Sequence, residues 1–100
     1  MNDSKTPNFS PNIMKFSLGQ VVTTLGISEL LTPQEISMLL DRHVMGDWGD
    51  MSKSDKNLND QALAMGLGRL FSSYITPKGK VWIITEADRS ITTVLLPSEY

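Results

Sequence analysis

His43 is the only side chain in this 100-residue chain that titrates near neutral pH. It would suit a general base, or the acid of a ribonuclease-type reaction. Arg89 offers a planar cation for phosphate or carboxylate, with Ser90, Thr92 and Thr93 as nearby hydroxyls. With His43 as acid or base, Arg89 would stabilise phosphorane charge without a metal. A second group suits binding. Asp47-Trp48 stands between Gly46 and Gly49, Asp50 follows, and Asp88-Arg89 occupies a later loop. Tryptophan is enriched at interface hot spots, so Asp47, Trp48, Asp50, Asp88 and Arg89 are candidate partner-binding residues. Each has a structural reading beside the functional one. His43 falls on the apolar face of a helix near its end, where a histidine bonds a carbonyl. Trp48 can plug the core of a small domain. Asp88 and Arg89 can bond each other and the turn backbone.

Composition removes whole classes of chemistry. Cysteine is absent, which excludes a disulfide framework, a thiolate nucleophile and a zinc ribbon. One histidine cannot make a two-histidine metal centre. Asp55-x-Asn57-x-Asn59 resembles the opening of a calcium loop, but Asp60 and Gly66 stand where glycine and glutamate are required. Gly66-Leu67-Gly68 lacks the third glycine of a dinucleotide fingerprint and leads into a strand, so helix termination explains both glycines. No metal and no cofactor is expected. Nine Lys and Arg against eleven Asp and Glu give a net charge of −2, and a pI near 5.2 makes direct nucleic-acid binding unexpected. Apolar runs of four residues or fewer fall far short of a membrane span, and residues 1–12 lack the features of a secretory signal. These readings point to a cytoplasmic protein without a membrane partner.

The elements that position these residues are legible in outline. Residues 1–14, broken by Pro7 and Pro11, read as a mobile tail, and 15–100 as one domain. A weak strand signal over Lys15–Thr24 is interrupted by Gly19. Ser28–Leu31 reads as one helical turn. Thr32-Pro33-Gln34-Glu35 is a capping box with proline at the first helical position. Ile36, Leu39, Leu40, His43 and Val44 then line one helical face until Gly46 stops it. Ser52-Lys53-Ser54-Asp55 opens another helix with an apolar stripe of Leu58, Ala62 and Met65. Met38, Met45 and Met65 read as core filler. Arg69–Thr76, Lys80–Glu86 and Ile91–Leu96 read as a meander, its first hairpin turning at Pro77-Lys78-Gly79. The fold class is therefore α+β, two or three helices on a three- to four-stranded antiparallel sheet. The last strand reads as an exposed edge, so a homodimer through it is open.

Arg42-His43, the Gly46–Asp50 segment, Trp82–Ser90, Thr92-Thr93, Leu95–Pro97 and Glu99-Tyr100 together resemble a family of small bacterial proteins of plasmids and mobile elements. Its members are sometimes labelled as a type I restriction enzyme M subunit. The resemblance covers roughly residues 15–100 and implies a mobile-element accessory protein. The chain is too short for a base methyltransferase, which needs a cofactor fold and a base-flipping pocket. A more distant likeness is to barnase- and RelE-like toxin nucleases, which place helices before an antiparallel sheet and cut RNA without metal. On that likeness His43, Arg89, Thr92 and Tyr100 would supply the active side chains.

Two expectations follow. The first is a non-enzymatic protein that binds a host protein or protein–nucleic-acid complex, with inhibition of a defence or nucleic-acid-processing system as one form of that role. Its contact would be the mildly acidic stretch 41–60, where five Asp face Arg42, Lys53 and Lys56. The alternative is a ribonuclease toxin. It requires His43 and Arg89 to converge in one cleft and fails where His43 is fully buried.

Overall fold

The computed structural model describes residues 14–100. The expected tail, except for Met14, lies outside the described residues. Four strands and three helices follow in the order β1 (Gln20–Thr23), α1 (Leu25–Leu30), α2 (Pro33–Val44), α3 (Lys53–Met65), β2 (Leu70–Thr76), β3 (Gly79–Thr85) and β4 (Ile91–Leu95). A 3-10 turn, Pro97–Glu99, ends the chain. This is the α+β fold read from the sequence.

Caps chosen by local chemistry start each helix. Thr24 accepts from the Ile27 amide at 3.3 Å. Thr32 accepts from the Glu35 amide at 3.1 Å while the Glu35 carboxylate accepts from the Thr32 amide at 2.8 Å, completing the anticipated capping box. Ser52 accepts from the Asp55 amide at 3.0 Å. Gly66 ends α3 in the left-handed conformation, with its amide on the Ala62 and Leu63 carbonyls. Glu99 ties the C-terminal turn to the start of α1. Its carboxylate accepts from the Thr24 hydroxyl at 2.6 Å and from the Gly26 and Leu96 amides at 3.2 and 2.8 Å. The Thr24 hydroxyl, then those amides, hold its carboxyl below the usual range.

The sheet order is β1-β4-β3-β2. Strands β2, β3 and β4 form the anticipated antiparallel meander, with Tyr74 opposite Val81 and Ile83 opposite Val94. β1 lies parallel to β4, so the sheet is mixed rather than wholly antiparallel. Three helices intervene between β1 and the meander, and a crossover of that length permits parallel pairing. β4 is consequently an inner strand, which corrects the expectation that it forms an edge.

Helices α1 and α2 cover one sheet face. Ile27, Leu31, Leu39, Tyr74, Val81, Ile83 and Val94 are buried between the layers, flanked by Leu30, Ile36, Leu40 and Leu96. The anticipated inner face of α2 is the real one. That of α3 is not, because Leu58 and Met65 are exposed and Asn59 is the buried residue. Met38 is exposed as well, so of the three presumed filler methionines only Met45 is half-buried. On the opposite sheet face Tyr100 sets its ring edge-on to Trp82 and Phe71, at 5.7 and 6.5 Å between centroids.

Candidate functional site

The Gly46–Asp50 segment adds a fifth backbone line beside β2. Gly49 forms a parallel bridge with Ser73. The Ser73 amide donates to the Trp48 carbonyl at 3.0 Å, and the Asp50 amide donates to the Ser73 carbonyl at 2.5 Å. Glycine is required at position 49 for two reasons. Its φ is +78°, and a Cβ there would run into the Ser73 carbonyl and the Tyr74 ring.

This backbone line delivers Trp48 inward. Trp48 is 3% exposed, stacked on Phe16 at 6.2 Å and edge-on to His43 at 5.7 Å. Its indole Nε1–H donates to Asp60 at 2.9 Å, so both its apolar body and its polar edge are satisfied within the fold. Trp48 is a core plug. That corrects its assignment as a partner-binding residue.

The neighbouring charges are also engaged. Arg42 donates to Asp47 at 2.7 Å and lies 4.5 Å from the Tyr74 ring centroid. That guanidinium holds the Asp47 carboxyl below its ordinary range. The Tyr74 hydroxyl donates to the Asp47 carbonyl at 2.6 Å, and burial pushes its phenol up. Asp50 stands 3.8 Å from Lys80.

His43 is 0% exposed. Its Nδ1 lies 2.6 Å from the Ser72 hydroxyl and its Nε2 lies 2.9 Å from the Thr85 hydroxyl. Thr85 is 2.7 Å from Thr92, which donates to the Leu18 carbonyl at 2.7 Å. A carbonyl can only accept, so the direction of each proton from Leu18 back to His43 Nε2 follows, and the neutral ring that burial favours leaves Nδ1 as an acceptor. Thr92 spends its proton on Leu18 and accepts from Thr85. Thr85 then accepts from His43 Nε2–H, and Nδ1 accepts from Ser72. The imidazole is neutral and held in one tautomer, and burial pushes its pKa down to about 3.

Arg89 has a different occupation. It adopts φ +62°, unusual for a residue with a side chain. Its guanidinium donates to the carbonyls of Gly68 at 2.7 Å, Ala87 at 3.0 Å, Glu86 at 3.2 Å and Ala62 at 3.3 Å. It therefore pins the β3–β4 loop to the C-terminal end of α3, where a cation complements the helix dipole. Asp88 does not pair with it. Asp88 accepts from the Ser90 hydroxyl at 2.6 Å and the Ser90 amide at 3.0 Å, and that hydroxyl bond holds its carboxyl low. Tyr100 is exposed, with its hydroxyl 3.2 Å from Arg69.

The four candidate catalytic residues thus divide. His43 and Thr92 belong to one buried hydrogen-bonded chain, Arg89 to a loop clamp, and Tyr100 to an exposed aromatic cluster. The convergent cleft required for RNA cleavage is not formed. A histidine without solvent contact cannot exchange protons with a polymeric substrate.

Reading the sequence missed two sets of residues. Asn59 pairs with the backbone of Phe71 through both amide atoms, at 2.7 and 3.1 Å, in the manner of a neighbouring strand. Large apolar side chains on the outer surface of α3 and along β1 form the second set. Leu58, Met65 and Leu67 are 61, 68 and 64% exposed. The Leu58–Ala62–Met65 spacing carries part of that signal, although by itself it reads as a helix stripe facing the sheet.

Among the described residues, no group of three or more His, Asp or Glu is placed to hold a metal ion, and no helix is long and apolar enough to cross a membrane. No family model, curated protein or solved structure matches the chain.

Proposed function

We propose that this chain acts by binding rather than by catalysis, as a mobile-element accessory protein that docks on a host macromolecular complex. The observation that carries the reading is the outer surface of α3. Leu58 and Met65, seven residues apart and so on one helical face, are both more than half exposed, and Leu67, just past the end of the helix, is exposed as well. Grouped exposed apolar side chains of this size mark interaction sites. A shallow groove of about 310 Å³ lies at the Leu58 end of this surface, lined by Met51, Asp55, Leu58, Asn59 and Phe71.

The partner that fits is a host protein presenting an apolar contact with a basic rim, because Asp55 borders the groove and residues 41–60 hold more acids than bases. This moves the contact away from the acidic stretch itself. Asp47, Asp50 and Asp60 stand beside Arg42, Lys80 and the Trp48 indole, respectively. With His43 buried and the Arg89 guanidinium held by carbonyls, the groups suited to chemistry serve the fold.

The test is capture of the partner from host lysate, followed by titration of that purified partner with three forms of the chain. Wild type and Asp47→Lys/Asp50→Lys should bind within a few-fold of each other. Leu58→Asp/Met65→Asp should bind at least tenfold more weakly. Equal binding by the α3 variant, or no partner recovered, overturns the reading, as does degradation of cellular RNA on induced expression that His43→Ala abolishes.

A further inference from the structure

The outer edge of β1 is built to pair with a copy of itself. The Gln20 and Thr24 amides donate to the Ser90 and Val94 carbonyls of β4, at 2.9 and 3.1 Å. Parallel pairing alternates, so Val22 also faces β4, while the N–H and C=O groups of Val21 and Thr23 face outward. Among the described residues nothing pairs with them. All four residues of the strand are exposed and none is charged. Edge strands that avoid pairing are kept very short or carry charges, proline or bulges; this one is four residues long and has no charge, proline or bulge.

We propose that two copies of the chain associate through antiparallel pairing of β1 with β1 about a two-fold axis at Val22. In that register Val21 faces Thr23 of the second copy and Thr23 faces its Val21. The four outward N–H groups then meet four outward C=O groups. A groove of about 360 Å³ supports the same register. It opens on the helix-covered side of the sheet, between α1 and α2, and Thr23, Leu31, Ile36 and Leu40 line it with no charged residue. The side chain that sits opposite Thr23 is Val21 of the second copy, at the mouth of this groove. By symmetry the exchange is reciprocal, which makes the interface isologous and closed at two copies. On the other sheet face Val22 meets Val22. The site is independent of the α3 surface.

The absence of cysteine permits a register-specific test. Val22→Cys should form a disulfide-linked dimer under mild oxidation. The two Cα atoms of a non-hydrogen-bonded antiparallel pair lie about 4.5 Å apart, within disulfide range. Val21→Cys and Thr23→Cys should not cross-link, because each faces the other position in its partner. By sedimentation the full-length protein should be dimeric. Val21→Pro removes one outward N–H while leaving the β4 bonds in place, and should weaken the dimer at least tenfold with an unchanged circular dichroism spectrum. A full-length protein that stays monomeric into the millimolar range overturns the proposal. So does a dimer unaffected by Val21→Pro, or cross-linking as efficient from Val21→Cys as from Val22→Cys.

Discussion

The two edges of the sheet are treated in opposite ways. Along β2 the outward groups of Ser73 are taken by Trp48 and Asp50, and those of Phe71 by the side chain of Asn59, which leaves only Ile75, next to the hairpin turn, without a partner for its outward groups among the described residues. Along β1 the outward groups of Val21 and Thr23 have no partner among the described residues. The closed edge required special residues. It needed two left-handed glycines, a tryptophan driven inward beside a neutral histidine, and an amide side chain imitating a strand. The open edge required only Gln-Val-Val-Thr. Closure of this kind protects a sheet against indiscriminate pairing. The difference teaches that the most unusual part of the sequence, Gly46–Asp50, protects the fold, while a plain part leaves its edge groups without a partner among the described residues.

Removing the plug should break the contrast most severely. Trp48→Ala leaves a cavity beside His43 and Phe16 and loosens the backbone line on Ser73. A loss of about 3–5 kcal/mol is expected in chemical denaturation, with concentration-dependent aggregation as the β2 edge opens. A loss below about 1 kcal/mol would show that the closed edge does not anchor the fold.

Acid should act next. In the unfolded chain His43 takes up a proton near its ordinary value of 6.5, whereas the folded protein refuses it until about 3. The unfolded state therefore binds more protons between these values, and stability falls as pH falls. From pH 6.5 to about 4.5 the slope should approach 1.4 kcal/mol per pH unit. Glu35, Asp47, Asp88 and Glu99, all with lowered carboxyl pKa values, add their losses further down. His43→Gln should flatten the upper part of the profile, whatever it does to absolute stability. An unchanged slope would contradict the buried neutral imidazole.

Asn59→Leu is the mildest and sharpest test. It strands the Phe71 N–H and C=O, at an expected cost of about 1–3 kcal/mol. It also makes the β2 edge resemble the β1 edge, so sedimentation should show species larger than the parent assembly. No such species would mean that Asn59 serves helix docking alone.

The failures of sequence reading follow one pattern. The α2 stripe is legible in the sequence because that helix lies flat on apolar side chains, where hydrophobic periodicity reports the buried face directly. The α3 stripe faces outward instead, because that helix meets the backbone edge of β2, where the useful contact is a polar amide. Leu58 and Met65 were consequently left outside. For Trp48 and His43 both roles were visible in advance, and neither spacing nor composition could choose between them.

Local chemistry alone settled the caps at Thr32 and Ser52, the stop at Gly66, the Pro77-Lys78 turn and the α+β class. Each depends on a few adjacent residues and on short-range hydrogen bonds. The partner of each strand edge, the parallel placement of β1, the burial of His43 and the capture of Arg89 by four carbonyls were decided by the tertiary structure. Those outcomes join residues tens of positions apart, and only the assembled backbone determines which polar groups remain to be satisfied.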